Sequence, residues 1–123
     1  IQLDNGDLIT VGKSTHLITG SNVIDFQKVI ILKTDHSGEL IWEKEVGDIT
    51  YHNDGQAIAE NEDGTFVLTG YALSSLPSGT DHMLIHIDSE GNEINAEYFA
   101  DSKTFRGENI VKTNDGKNII TGD

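Results

Sequence analysis

Residues 62–70 read Glu-Asp-Gly-Thr-Phe-Val-Leu-Thr-Gly, and the same pattern returns at residues 114–122 as Asn-Asp-Gly-Lys-Asn-Ile-Ile-Thr-Gly. An earlier copy at residues 4–12 reads Asp-Asn-Gly-Asp-Leu-Ile-Thr-Val-Gly. The turn glycines of the three copies, Gly6, Gly64 and Gly116, are 58 and 52 residues apart. Self-similarity at this spacing indicates one supersecondary unit that is stacked on copies of itself.

The copies also agree outside this turn. Residues 29–41 align with residues 83–94, with one residue lost in the turn, and residues 55–60 align with residues 107–112. The first copy is four residues longer between Gly12 and Val29 than the second is at the matching place. Because loops accept insertions readily, we predict that residues 13–28 and 72–81 are loops.

Each unit contains four short runs typical of β-strands, which in the second copy cover residues 56–61, 65–71, 82–88 and 93–99. The runs are rich in β-branched and aromatic residues and are bounded by Asp-Gly, Ser-Gly or Glu-Gly turns. The inner runs are apolar on both faces, as in strands covered on both sides. The outer runs carry mixed charges, which predicts solvated edge strands. No stretch shows helical periodicity, so we predict no helix.

A turn-linked, four-stranded unit of about 50 residues is typical of a β-propeller blade. We therefore predict an all-β fold of propeller-like blades, each with four antiparallel strands. A β-sandwich is the main alternative, but it does not explain the period. The 123 residues would cover about two and a third blades. Residues 1–54 would form a first blade that lacks its first strand, residues 55–106 a complete blade, and residues 107–123 the start of a third.

Propellers close with roughly four to eight blades, so we expect that this chain alone does not close a ring. The start at Ile1 and the end at Asp123, both within a blade, favour a segment of a longer protein whose further blades complete the ring. Assembly of several copies of the chain is the alternative.

The charge of the chain excludes some partners. Lys and Arg number 8 and Asp and Glu 21, which gives a formal net charge of −13. Phosphate binding needs a basic surface, so we expect no nucleic-acid partner. The absence of a long apolar run predicts no membrane insertion. The chain has no cysteine and therefore no disulfide.

Residues 62–94 resemble the blades of bacterial and archaeal surface or secreted β-propeller repeat proteins. In those blades a DGG-hydrophobic-GYT turn is followed by a loop and then by a D-hydrophobic-hydrophobic-hydrophobic-K-x-D-x-x-G-x-hydrophobic-x-W motif. The matching positions are Asp63, Gly64, Gly70, Tyr71, Asp81, Asp88, Gly91 and Ile94 in the second copy, and Lys33, Asp35, Gly38, Trp42, Lys44 and Gly47 in the first. The resemblance implies a propeller that is extracellular, on the cell surface or periplasmic.

Residues 32–42 also resemble the blade motif of quinoprotein-type propellers, in which a tryptophan after a glycine turn docks between neighbouring blades. The second copy departs from this motif, because Asn95 stands where Trp42 would recur. We interpret Trp42 as packing between blades; the alternative is an aromatic platform for a sugar or a protein. The structural repeat positions are Gly6, Gly12, Gly38, Trp42, Gly64, Gly70, Gly91, Gly116 and Gly122.

Few residues indicate chemistry. His82 and His86 share a strand face but stand about 13 Å apart, so one metal cannot bridge them. His16, His36 and His52 fall in predicted loops, where nothing groups them. Acidic residues cluster near turns, yet turn geometry explains Asp54 and Asp63, and no consecutive calcium-loop pattern occurs. We therefore predict no catalytic residue, no metal ligand and no cofactor, with calcium as an alternative.

We accordingly expect a non-catalytic scaffold whose loops bind a protein or carbohydrate partner. The loops differ most between the copies, as binding loops on a rigid scaffold do. The alternative is part of a propeller enzyme, a quinoprotein-like oxidoreductase or a hydrolase, whose site needs blades outside this chain. The candidate partner-binding residues are His16, Asn22, Asp25, Ser75, Pro77 and Asp81.

Overall fold

The computed structural model describes residues 1–74, 79–99 and 105–123, and it is all-β, with no helix in those ranges. The strands are β1 (Leu8–Leu17), β2 (Ile24–Thr34), β3 (Leu40–Val46), β4 (Tyr51–Glu60), β5 (Phe66–Ser74), β6 (Gly79–Ile87), β7 (Glu93–Phe99), β8 (Gly107–Lys112) and β9 (Asn118–Gly122). The prediction of an all-β, helix-free chain is therefore confirmed over the described residues.

The strands pair in chain order, which gives three antiparallel groups. Strands β1, β2 and β3 form a first meander, β4 to β7 form a second meander, and β8 and β9 form a hairpin. One parallel bridge, between Gln27 and His52, links the two meanders. Over the described residues the sheets remain open and form no closed barrel or ring.

The main core lies between the two meanders. Ile9, Val29 and Ile31 of the first meander belong to one buried cluster with residues of β4, β5 and β6. The members from the second meander are Ile58, Phe66, Leu68, Met83, Ile85 and Ile87. Burying side chains of this size contributes about 1.5–3 kcal/mol each, so this contact is the principal source of stability.

A smaller core lies on the other face of the second meander. Val67 of β5 and Ala59 of β4 pack there against Ile110 of β8. Since Phe66 and Val67 are each 2% exposed and point to opposite faces, β5 is covered on both sides, as its apolar sequence predicts. The outer strands β3 and β7 are largely exposed and pair on one edge, as their charges predict.

One end of the sheets, here called the turn end, consists of five turns with the same hydrogen bonds. In the turn at residues 61–65, the N–H of Asn61 donates to the carbonyl of Thr65 and the N–H of Gly64 donates to the carbonyl of Asn61. The same pair of bonds occurs at residues 3–7, 35–39, 88–92 and 113–117. The glycine of each turn has a φ between 81° and 91°, a region that favours glycine. Three of these glycines, Gly6, Gly64 and Gly116, are the turn glycines of the repeated sequence.

The predicted loop at residues 13–28 is wrong for most of its length. Strand β1 continues to Leu17 and β2 begins at Ile24, so the connection is limited to residues 18–23. His16 pairs with Phe26 in this hairpin, and His52 lies in β4, so neither is in a loop. The segment lacks an apolar run because it extends beyond the core, where backbone pairing and a few side-chain contacts maintain the strands.

Two strands of the second meander begin earlier in the sequence than predicted. Strand β4 starts at Tyr51 rather than residue 56, because the Gly55 region bulges instead of ending the pairing. Strand β6 starts at Gly79 rather than residue 82, within the segment predicted to be a loop.

Candidate binding surface at the aromatic end of the sheets

The end of the sheets opposite the turn end concentrates aromatic side chains, and we call it the aromatic end. It is formed where β1, β3, β5 and β7 finish and where β2, β4, β6 and β8 begin. Its aromatic residues include all three tyrosines, three of the five histidines and three of the four phenylalanines. They are Tyr51, Tyr71, Tyr98, His16, His52, His82, Phe26, Phe99 and Phe105. Aromatic side chains with a polar tip are those that partner-binding surfaces favour.

Asn53 holds the crossing from the first meander to the second. Its side chain is fully buried, and its Nδ2 lies within 2.8–3.2 Å of the carbonyl oxygens of Gln27, Asp48 and Tyr51. Its Oδ1 accepts a hydrogen bond of 3.1 Å from the hydroxyl of Tyr98. The Tyr98 ring stacks on Tyr51 with centroids 4.5 Å apart. Both tyrosines are half-buried, so one edge of this stack remains accessible.

A charged cluster joins the first meander, the second meander and the residues before the hairpin. The ammonium of Lys13 lies 3.1 Å from the Oδ2 of Asp54, and the hydroxyl of Tyr71 donates to the same oxygen at 3.0 Å. The guanidinium of Arg106 lies over the Tyr71 ring, 5.0 Å from its centroid. Hydrogen bonding to Asp54 raises the pKa of Lys13, and burial, followed by the same carboxylate, raises the pKa of Tyr71.

His82 of β6 faces Phe105 and the other residues that directly precede β8. Its Nε2 is 2.8 Å from the hydroxyl oxygen of Thr69, which is fully buried. Its ring stacks on Phe99 and meets Phe105 edge-on, with centroids 5.5 and 5.0 Å away. Burial in this apolar setting lowers the pKa of His82, because the charged imidazolium loses hydration there.

A fourth group lies along the β1–β2 hairpin. The His16 ring stacks on Phe26 with centroids 4.4 Å apart, and its Nε2 lies 2.9 Å from Oε1 of Glu45 in β3. The Ser14 hydroxyl and then the His16 imidazole lower the pKa of Glu45. This contact groups His16 with a carboxylate, although the sequence suggested that nothing groups it.

The candidate partner-binding residues occupy different places in the structure. His16 lies in β1, Asp25 in β2, and Asn22 in the turn between them, so all three belong to the β1–β2 hairpin. Asp81 lies in β6 and is buried, with 8% of its surface exposed. Ser75 and Pro77 lie outside the described residues.

Trp42 lies on β3 and packs partly buried against the main core. Its ring is so close to Gly91 that a Cβ there would lie 2.7 Å from the ring atom Cζ3. Trp42 therefore contacts the β6–β7 turn of the second meander, which requires glycine for close approach as well as for its positive φ.

No protein-family model matches the chain, and no curated protein is similar to it. Within residues 1–74, 79–99 and 105–123, no three His, Asp or Glu side chains come together as a metal site requires. The prediction of no cofactor, with calcium as its alternative, stays a prediction. No helix long and apolar enough to cross a membrane occurs in the part of the chain that the structure describes.

The aromatic end brings together residues that the sequence did not indicate as a site, above all Asn53, Tyr98 and Arg106. A local signal existed for one pair. Because Gly55 pairs with Gly70 in the repeat, the preceding Asp54 and the following Tyr71 must face each other across the two strands. The contacts of Tyr98 with Asn53 and Asp48 join residues 45 and 50 positions apart and have no local signal.

Proposed function

We propose that the three antiparallel groups are blades of a β-propeller. The first meander would supply the second, third and fourth strands of one blade, the second meander a complete blade, and the hairpin the first two strands of a third. The face-to-face packing of β5 against both neighbouring groups supports this proposal, since propeller blades pack in that way. The turns shared by all three groups also support it.

We further propose that the chain is a non-catalytic scaffold that binds a protein or carbohydrate partner at the aromatic end. The observation that carries this proposal is the cluster of Lys13, Asp54, Tyr71 and Arg106. Arg106 is exposed, and its guanidinium lies over an aromatic ring, so a charged donor and an aromatic side chain are presented together. Arginine and tyrosine are enriched where protein partners bind.

The enzymatic alternative lacks a specific supporting observation in the described residues. Thr69 and His82 approach to 2.8 Å, as a nucleophile and its base would. However, Thr69 is fully buried, so a substrate would not reach its hydroxyl. We interpret the pair as a structural hydrogen bond between β5 and β6.

The binding proposal is tested with a matched pair of variants at the two ends of the sheets. Arg106→Ala removes the exposed cation at the aromatic end, and Lys117→Ala removes an 80% exposed cation at the turn end. The wild-type chain is screened against a glycan array and against a panel of extracellular proteins, and each variant is then titrated with the ligands found. We expect Arg106→Ala to weaken binding about tenfold or more, and Lys117→Ala to bind as the wild type does.

Two outcomes would contradict the proposal: no saturable binding in either screen, or equal weakening by both variants. Equal weakening would show that net charge, rather than the aromatic end, governs binding.

A further inference from the structure

The β1–β2 hairpin ends at the aromatic end in two pairs of aliphatic residues. Leu17 pairs with Ile24, and the N–H of Ile18 donates to the carbonyl of Val23 at 2.9 Å. Successive side chains of a strand point to opposite faces, so each face of the hairpin carries one of these pairs. Leu17 and Ile18 are 50% and 48% exposed, and Val23 and Ile24 are 58% and 46% exposed. We call residues 17–24 the hairpin tip.

The pair of Leu17 and Ile24 is exposed although the neighbouring group of strands is present on its side. Alternate residues of β1 share one face, so Leu17 lies on the same face as Ile9 and Lys13. Ile9 belongs to the core that the first meander shares with the second, and Lys13 lies 3.1 Å from Asp54 of the second meander. The hairpin tip therefore extends past the second meander, which leaves this aliphatic pair half in solvent.

The turn at the hairpin tip is held by its own hydrogen bonds. The N–H and the hydroxyl of Ser21 both donate to the carbonyl of Ile18, and the Ser21 hydroxyl oxygen accepts from the N–H of Val23. None of the four aliphatic side chains belongs to either core, and this copy of the repeat is four residues longer than the second copy here. The repeated unit therefore does not need the aliphatic surface of the hairpin tip for its own core.

Aliphatic surface and negative charge together define what fits this tip. Residues 17–24 contain no charged side chain, and their aliphatic groups stabilise a complex only by leaving water for an apolar surface. A saccharide offers mainly hydroxyl groups, which would lose hydration there without gaining a hydrogen bond. Asp25 is exposed beside Ile24, and no cation of the described residues pairs with it.

The charge of the whole chain separates the remaining candidates. A second copy of the chain carries the same formal net charge of −13 and is repelled, and so is an anionic lipid surface. A protein whose apolar cleft is surrounded by basic residues is attracted instead, because its charge is complementary.

We propose that the hairpin tip inserts into an apolar cleft with a basic rim on a protein partner. The pair of Leu17 and Ile24 packs against one wall of the cleft, and the pair of Ile18 and Val23 packs against the other. Apolar contact supplies the affinity, and complementary charge speeds association. This inference rests on the proposed function, because it specifies a protein as the partner of the aromatic end and the hairpin tip as its anchor.

The probes are the members of a panel of extracellular proteins, half of them basic and half acidic, each immobilised and titrated with the chain. The hairpin variant combines Leu17→Ser with Ile24→Ser. Its matched control combines Leu40→Ser with Ile41→Ser, since these residues lie at the turn end and are 59% and 50% exposed. We expect saturable binding to basic members of the panel, weakened about tenfold or more in the hairpin variant and unchanged in the control.

Two further measurements support the comparison. The unfolding midpoints of the wild type and both variants should agree, because substitutions at exposed positions change stability little. A second hairpin variant replaces residues 18–23 with Asn-Gly, which closes the hairpin in a two-residue turn and should weaken binding equally. Raising NaCl from about 0.05 to about 0.5 M should slow association about tenfold and leave dissociation nearly unchanged.

Several results would overturn the proposal. They are no saturable binding to any protein, binding to acidic members alone, unchanged binding by both hairpin variants, and equal weakening by the control. It is also overturned if light scattering shows a dimer, or flotation shows association with phosphatidylcholine vesicles, that the hairpin variant loses. The occupant is then a second copy or a lipid surface.

Arg106→Ala distinguishes a failure of this inference from a failure of the proposed function. If Arg106→Ala weakens binding and the hairpin variants do not, the proposed function is supported and the hairpin tip is excluded as the anchor. If only the hairpin variants weaken binding, the inference is supported and the role proposed for the cluster around Arg106 is wrong. Saturable binding to glycans alone overturns this inference and leaves the proposed function in place.

Discussion

Asn53 is the residue at which the two meanders and the segment between them meet. One fully buried amide lies within hydrogen-bond distance of three carbonyl oxygens and accepts a bond from the Tyr98 hydroxyl. Gly47 passes so close that a Cβ there would lie 2.9 Å from the amide carbon of Asn53. This position needs donors for the backbone carbonyl oxygens and an acceptor for the Tyr98 hydroxyl, because buried polar groups without partners destabilise the fold.

Replacing Asn53 with alanine removes these bonds and opens a small cavity. We expect Asn53→Ala to lower the free energy of unfolding by about 2–3 kcal/mol, measured by urea denaturation. The matched control is Asn95→Ala, since Asn95 is exposed on the edge strand β7 and should change stability by less than about 0.5 kcal/mol. Equal effects of the two substitutions would contradict this role for Asn53.

At the scale of elements, the turns of the turn end are determined by their own residues. Asp35 accepts hydrogen bonds from the backbone N–H groups of Ser37 and Glu39, and Asp88 does the same for Glu90 and Asn92. Bonds from the neighbouring Ser37 and Asn92 lower the pKa of both carboxyls. Because this chemistry is local, the sequence predicts the turns well.

The contact between β6 and the approach to β8 is expected to weaken with mild acid. Burial lowers the pKa of His82 in the folded chain, whereas the unfolded imidazole keeps a pKa of about 6.5. The unfolded state therefore takes up the proton first, so the contribution to stability is complete above about pH 6.5 and is lost as the pH falls below it. Thr69, Phe99 and Phe105 contact the ring and supply no compensating negative charge.

This prediction is checked by urea unfolding at pH 7.5 and pH 5.5. The wild type should lose more stability between these values than His82→Gln, whose side chain does not titrate. His36→Gln, at an exposed turn position, should behave as the wild type does. If His82→Gln kept the full pH dependence, another group would be responsible.

At the scale of the whole molecule, the chain carries a formal net charge of −13, so its acidic groups repel one another in the folded state. Like charges destabilise a compact state, and salt screens them, with a Debye length of about 30 Å at 0.01 M and about 10 Å at 0.1 M. We expect the thermal midpoint to rise by several degrees, equivalent to about 1 kcal/mol, when NaCl is raised from about 0.02 to about 0.2 M.

A charge-reversal pair provides the control for the salt effect. Glu90→Lys at an exposed turn should raise the midpoint at low salt and reduce the salt dependence, and Lys117→Glu should do the opposite. A midpoint that fell with added salt would show that the ion pairs, such as that of Lys33 with Asp7, outweigh the repulsion.

Hydrophobic pattern and turn chemistry predict most strands but not the long β1–β2 hairpin. Phe66, Val67 and Leu68 identify β5 because apolar residues on both faces require cover on both faces. Residues 13–17 have no such pattern, since backbone pairing maintains those strands beyond the core. The segment that contains His16 and Asp25, predicted to be a loop, is therefore a pair of strands.

The repeated Asp-Gly turns and apolar runs determined the short antiparallel strands, the turns of the turn end and the burial of β5 on both faces. These features depend on residues that are close together in the sequence. The aromatic end and the burial of Asn53 depend instead on how the groups pack. Lys13 meets Asp54 and Asp48 meets Tyr98 only when the meanders are face to face. Such contacts span 41 to 50 residues and leave no periodic trace along the chain.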